Sequence, residues 1–136
     1  PGFCPTHDLI EVADVERARA EHPGAKVVVH PEARPEVSAI ADAVESTSGM
    51  IRFCREDPGR EYLIGTETGM IYRLSQDVPD KTYYPLTKRA ICPNMKRITL
   101  KKVQDALVSG GPVVTVAEDV RVKAFRAVQR MIEVSP

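Results

Sequence analysis

Apolar positions recur along this chain in two rhythms: short β-branched or aromatic runs alternate with stretches whose apolar residues return every three or four positions. Ala13 to His22 reads as a helix stopped by Pro23-Gly24. Ala25-Lys26-Val27-Val28-Val29 then reads as a buried strand. Pro35 to Ala41 is a short helix with Val37 and Ile40 inward, and Ala43-Val44 is a very short second strand. Ser46 caps a helix from Thr47 to Arg55 that carries Met50, Ile51 and Cys54 on one face. Tyr62-Leu63-Ile64 is a third strand, Met70 to Leu74 lies on a further helix, and Lys81 to Tyr84 is a fourth extended segment.

This alternation predicts an α/β fold: a three-layer αβα sandwich around a short parallel sheet of about four strands, with right-handed crossovers. The α/β domain is expected over residues 1–91. From Cys92 the pattern changes. Thr99 caps a helix holding Leu100, Val103, Ala106 and Leu107, and Gly110-Gly111-Pro112 ends it. Ala117 to Glu133 is a longer helix with Val120, Ala124, Ala127, Val128 and Met131 on one face. Residues 92–136 therefore read as a loop and a C-terminal helical tail whose apolar faces need cover.

Composition narrows the partners. Of 136 residues, 43% are hydrophobic and 28% charged, as in a globular domain. Lys+Arg and Asp+Glu are each 19, and this balance offers no electrostatic reason to expect nucleic acid or an anionic membrane. No run is long enough to span a bilayer and no signal segment opens the chain, which leaves the cytoplasm as the default compartment. Three widely spaced cysteines, Cys4, Cys54 and Cys92, do not make a disulfide framework. They are free thiols, metal ligands or a nucleophile.

In open parallel sheets ligands bind beyond the carboxyl ends of the strands. His30-Pro31-Glu32 follows the first strand, Glu45-Ser46-Thr47-Ser48-Gly49 the second, Gly65-Thr66-Glu67 the third, and Ala90-Ile91-Cys92-Pro93 the fourth. Cys4-Pro5-Thr6-His7 precedes the first helix. Polar and sulfur groups thus gather on one edge. Each also has a plain structural reading: Ser46-Thr47-Ser48 as a helix cap, His30 as a satisfied histidine at a strand end, Thr66-Glu67 as the polar start of a helix. Cys54 sits on the apolar helix face and reads as core. Cys4 and Cys92 each adjoin a proline in a loop, which suits a ligand better than packing.

Five of these segments, in order, resemble the quinolinate synthase family. They are Gly2-Phe3-Cys4-Pro5-Thr6-His7, Val29-His30-Pro31-Glu32, Ser46-Thr47-Ser48-Gly49-Met50-Ile51, Gly65-Thr66-Glu67-Thr68-Gly69, and Cys92-Pro93-Asn94-Met95-Lys96-Arg97-Ile98-Thr99-Leu100. The resemblance implies three similar α/β domains about a pseudo-threefold axis, of which this chain holds the last together with the C-terminal helices. It implies condensation of iminoaspartate with dihydroxyacetone phosphate to quinolinate in NAD biosynthesis, and functional coupling to L-aspartate oxidase. It implies a 4Fe-4S cluster with Cys4 and Cys92 as two of its three ligands, the third lying in an upstream part that this chain lacks. By the same resemblance Glu32 is the candidate general acid/base, His30 orients or polarises substrate, and Ser46 and Thr47 grip a substrate carboxylate or phosphate. His7, Thr66 and Glu67 rank behind these without an assigned role. Two positions depart from the family pattern: Ala33 stands where many relatives carry Cys, and Glu45 stands where Gly is usual, adding a negative charge beside the anion pocket. With its upstream part missing, the chain alone is expected neither to assemble a proper cluster nor to turn over. The alternatives are a non-enzymatic zinc domain using Cys4, His7 and Cys92, or a small-ligand-binding α/β domain with incidental cysteines.

Overall fold

The valine-rich and aromatic runs become strands because they are buried on both faces, as a parallel sheet between helix layers requires. A computed structural model describes residues 2–135; Pro1 and Pro136, the outer ends of the expected ranges 1–91 and 92–136, lie outside the described residues. The strands are β1 (Lys26–Val29), β2 (Ala43–Val44), β3 (Glu61–Gly65) and β4 (Thr82–Pro85). They form one sheet in the order β2-β1-β3-β4, and every pairing is parallel. Val28 stands opposite Ala43 on one side and Ile64 on the other, which fixes the register of the central strands.

Side chains alternate across the sheet, so adjacent valines feed two separate cores. Val27, Val29 and Leu63 pack with Val15 and Ala18 of α1 (Val12–Glu21) and Val37 of α2 (Pro35–Ser38). Val28, Tyr62, Ile64 and Tyr83 pack with Met50 and Cys54 of α3 (Thr47–Glu56) and Leu74 of α4 (Met70–Asp77). Two helices on each face complete the expected three-layer αβα arrangement.

Local chemistry sets the element ends. Ser46 caps α3, its Oγ accepting from the Gly49 N–H at 3.1 Å. The start of α1 is closed by a reciprocal capping box between Glu11 and Asp14. β3 runs through Gly65, one residue past the apolar triplet, because Gly65 pairs with Val29. A Cβ at Gly65 would fall 2.7 Å from Val29 Cγ1 and 2.8 Å from Leu86 Cδ1, so only glycine fits at this carboxyl end. A one-turn 3-10 helix at His7–Leu9, absent from the sequence reading, precedes α1.

The amino ends of the strands are fastened by a separate polar cluster. Lys26 pairs with Asp57, and Lys81 donates to the Cys54 and Asp57 carbonyls at the end of α3. The Tyr62 hydroxyl donates to Asp57 Oδ1 at 2.9 Å. A cation at the C-terminus of a helix also complements its dipole.

Two units divide between Met95 and Lys96. In the second, Thr99 caps α5 (Leu100–Ser109) by accepting from Lys102 N–H at 3.3 Å, and Gly110 ends it in the left-handed conformation at φ +66°. Helix α6 (Glu118–Val134) opens with Glu118 paired to Arg121. Leu100, Leu107, Val120, Phe125 and Met131 on these helices are exposed. Among the described residues, no helix is long and apolar enough to cross a membrane.

Candidate functional site

The strand order creates one place where successive connections leave in opposite directions. β1 is followed by β2 on one side, whereas β3 lies on its other side, so the carboxyl ends of β1 and β3 flank a switch point. His30 follows β1 and Thr66 follows β3 at this spot, and the His30 N–H donates to the Gly65 carbonyl at 3.0 Å.

His7 enters from the 3-10 turn and links both loops. Its Nε2 lies 2.8 Å from Thr66 Oγ1, and its ring stacks on His30 with centroids 4.3 Å apart and planes 4° from parallel. Its Nδ1 lies 3.1 Å from Glu32 Oε2 but outside hydrogen-bond geometry, so it is a buried nitrogen without a hydrogen bond. Burial holds the His7 pKa below its ordinary value and the neighbouring His30 acts the same way, while Glu32 opposes both. Glu32 is exposed on the solvent side of the pair, with its Oε2 3.6 Å from His30 Nδ1. The Glu32 N–H donates to His30 Nδ1 at 3.2 Å, which makes that nitrogen an acceptor and places the neutral ring proton on Nε2. Cys4 completes the group: its sulfur, a His7 ring nitrogen and a Glu32 oxygen all lie within 4.8 Å of one another.

Cys92 reaches the same rim from the segment after β4. Thr6, buried between Cys4 and His7 in sequence, brings its hydroxyl to the Cys92 thiol, where it favours the thiolate. The backbone N–H of Met95 is the largest influence on this thiol, and with Thr6 and the Asn94 N–H it holds the pKa below the ordinary value. Buried Glu67 accepts from the Cys92 N–H at 3.4 Å through Oε1 and from the Gly69 N–H at 2.8 Å through Oε2. Two half-buried thiols, one of them supplied with N–H and O–H donors that favour the thiolate, suit ligation of an iron–sulfur cluster.

The structure thus brings Cys4, His30 and Glu32 together and sets Cys92 against Thr6. Ser46 and Thr47 stand at the start of α3, beyond the edge strand β2, and neither bonds to His30 or Glu32. The Ser46 hydroxyl serves the helix cap, and the Glu45 carboxylate lies over Gly49. Cys54 is fully buried under the sheet, and burial pushes its thiol up to about 11. His7 and Thr66 carry more of the geometry than the sequence assigned to them. Their signals were a histidine three residues after Cys4 and a hydroxyl directly after β3. A cavity of about 540 Å³ lies elsewhere, between α1 and the end of β4 with the residues that follow it, and is lined by Asp14, Arg17, His22, Tyr84, Lys88 and Arg89 among others.

Comparison with known proteins adds the following. The family model described as quinolinate synthetase A protein matches residues 1–133. Curated proteins called quinolinate synthase are similar to the chain throughout. That of Thermodesulfovibrio yellowstonii is 54% identical over 131 residues, covering 96% of this chain and 43% of that protein. That of Methanoregula boonei is 52% identical over 131 residues, again 96% and 43%. One from Dehalococcoides mccartyi is 46% identical over 134 residues, 98% and 44%. The chain spans well under half the length of these relatives.

Proposed function

The chain belongs to the quinolinate synthetase A protein family, and from that premise we propose that it supplies the last α/β domain and the C-terminal helices of a quinolinate synthase. The complete protein would condense iminoaspartate with dihydroxyacetone phosphate to quinolinate, in the cytoplasm and in step with L-aspartate oxidase. Residues 1–91 are the α/β domain. Residues 92–136 are the ligand loop and helices that pack on the remainder of the complete protein, where the exposed apolar side chains of α5 and α6 would find cover.

Cys4 and Cys92 would hold a 4Fe-4S cluster together with a cysteine from the relatives' additional length. Such a cluster, held by three thiolates, supplies one iron open to substrate as a Lewis acid. This chain's residues do the rest. Glu32, exposed beside the buried ring of His7, gives or takes a proton at its Oε2. His30 keeps Nε2–H free to donate to a substrate oxygen, because its Nδ1 is engaged by the Glu32 N–H. Ser46 and Thr47, at the start of α3, would receive an anionic group of the substrate. The chain alone would not assemble the cluster or turn over.

The observation that supports this reading is the convergence of Cys4, His7, His30 and Glu32 at the switch point, with Cys92 beside Thr6. The test is anaerobic reconstitution of the complete protein. Stoichiometric iron and sulfide, lost in both Cys4→Ser and Cys92→Ser, is the expected result. A complete protein that takes up no sulfide, or that keeps its iron and sulfide without Cys92, overturns it.

A further inference from the structure

We infer that the metal-free chain carries a mononuclear site for a zinc-class divalent cation, built from Cys4 Sγ, His7 Nδ1 and Glu32 Oε2, with Cys92 outside it. The site shares Cys4 with the proposed cluster but has no need of Cys92 or of any further segment.

Three observations carry this. First, one sulfur, one ring nitrogen and one carboxylate oxygen lie within 4.8 Å of one another. A tetrahedral zinc with bonds of about 2.0–2.3 Å holds its donors about 3.3–3.8 Å apart. His7 Nδ1 and Glu32 Oε2 are already at 3.1 Å, and the Cys4 sulfur lies within 4.8 Å of the donor atoms of both residues.

Second, His7 is prepared as a ligand. Its Nδ1 is buried, lacks a hydrogen bond and faces the Glu32 carboxylate. A cation would give this nitrogen a ligand bond beside the carboxylate. The other ring nitrogen is already oriented by an oxygen outside the donor set: Nε2 is 2.8 Å from Thr66 Oγ1. Third, the donors are chemically matched. A mixed sulfur, nitrogen and oxygen set favours zinc or cobalt over calcium or magnesium. Three protein ligands leave the fourth position to water, and binding releases the Cys4 thiol proton.

A cation here engages the residue proposed as acid/base and one cluster ligand at once. Zinc would therefore compete with cluster loading in the complete protein.

The experiment uses the 136-residue chain with cobalt(II) as the spectroscopic probe and zinc as the competitor. Expected are one cobalt per chain, a thiolate-to-cobalt charge-transfer band, and displacement by one equivalent of zinc. Cys4→Ser abolishes the band. His7→Asn and Glu32→Gln weaken binding at least tenfold. Cys92→Ser changes affinity less than twofold. A second measurement needs no variant: zinc should protect Cys4 from iodoacetamide and leave Cys92 reactive. A chain that binds no stoichiometric cobalt, loses the band in Cys92→Ser, or shows equal protection of both thiols overturns the site. None of these results depends on iron or sulfide, so this site and the cluster can fail separately.

Discussion

Asp14, buried on α1, accepts a hydrogen bond from Arg89 at 2.9 Å across 75 residues of sequence. Arg89 stands three residues before Cys92, so this contact ties the segment that carries the thiol to the first helix. Burial pushes the Asp14 carboxyl up, but hydrogen bonds from Arg17, the Glu11 amide and Arg89 together hold it below the ordinary value. A carboxyl with a depressed folded pKa stabilises fully above its unfolded pKa, about 3.9, and loses that contribution as pH falls through the folded value. Asp14→Asn should therefore flatten the acid limb of stability against pH. At neutral pH it should cost about 1.5–3 kcal/mol, since hydrogen bonds to a charged group are lost. Urea denaturation from pH 7 down to pH 2 reads both effects, and an unchanged acid limb would refute the assignment.

Gly65→Ala should destabilise the chain by about 1–3 kcal/mol, because the added methyl overpacks a filled space. The new carbon would meet Val29 and Leu86, and neither is the far end of a long flexible side chain. A urea midpoint equal to that of the unsubstituted chain would show that the carboxyl ends of β1 and β3 are looser than described.

Cys54 should react only when the fold opens. Its thiol is fully buried and pushed up to about 11, whereas Cys92 is held below its ordinary value. Iodoacetamide at pH 7.5, followed by mass mapping, should label Cys4 and Cys92 first, and Cys54 only with denaturant. Early labelling of Cys54 would count against its place beneath the sheet.

Thr66→Val should leave His7 Nε2 without its partner and cost about 1–3 kcal/mol, whereas Thr66→Ser should restore most of the loss. The pair of variants separates the hydroxyl from the methyl. Equal stability for both would mean that the 2.8 Å contact contributes nothing.

In the complete protein, Glu32→Gln should lower turnover about a hundredfold to ten-thousandfold, the range for losing a general acid/base. Iron and sulfide content should not change, because Glu32 is not among the proposed cluster ligands. Undiminished turnover would remove Glu32 from the mechanism.

Much of the scaffold was legible because it is locally encoded. Val27-Val28-Val29 has no amphipathic alternation, and a run buried on both faces belongs to a parallel sheet. Ser46, Thr99 and Gly110 mark helix ends through bonds or dihedrals within a few residues. The candidate site was legible only as a set of loops. Which side chains meet across them depends on contacts such as His7 to Thr66, 59 residues apart, which no local pattern records. His7 itself lies on a three-residue turn too short to show any periodicity. The Arg89 to Asp14 contact is of the same kind, spanning 75 residues of sequence.

The cluster of Lys26, Asp57, Tyr62 and Lys81 sits at the amino ends of the strands, and the reactive groups sit at the carboxyl ends. Anchorage and reactivity therefore occupy opposite poles of one sheet. Substitutions at one pole can erode robustness without altering specificity, and substitutions at the other can retune chemistry without unfolding the scaffold, so the two traits are free to drift independently in descendants of this sequence.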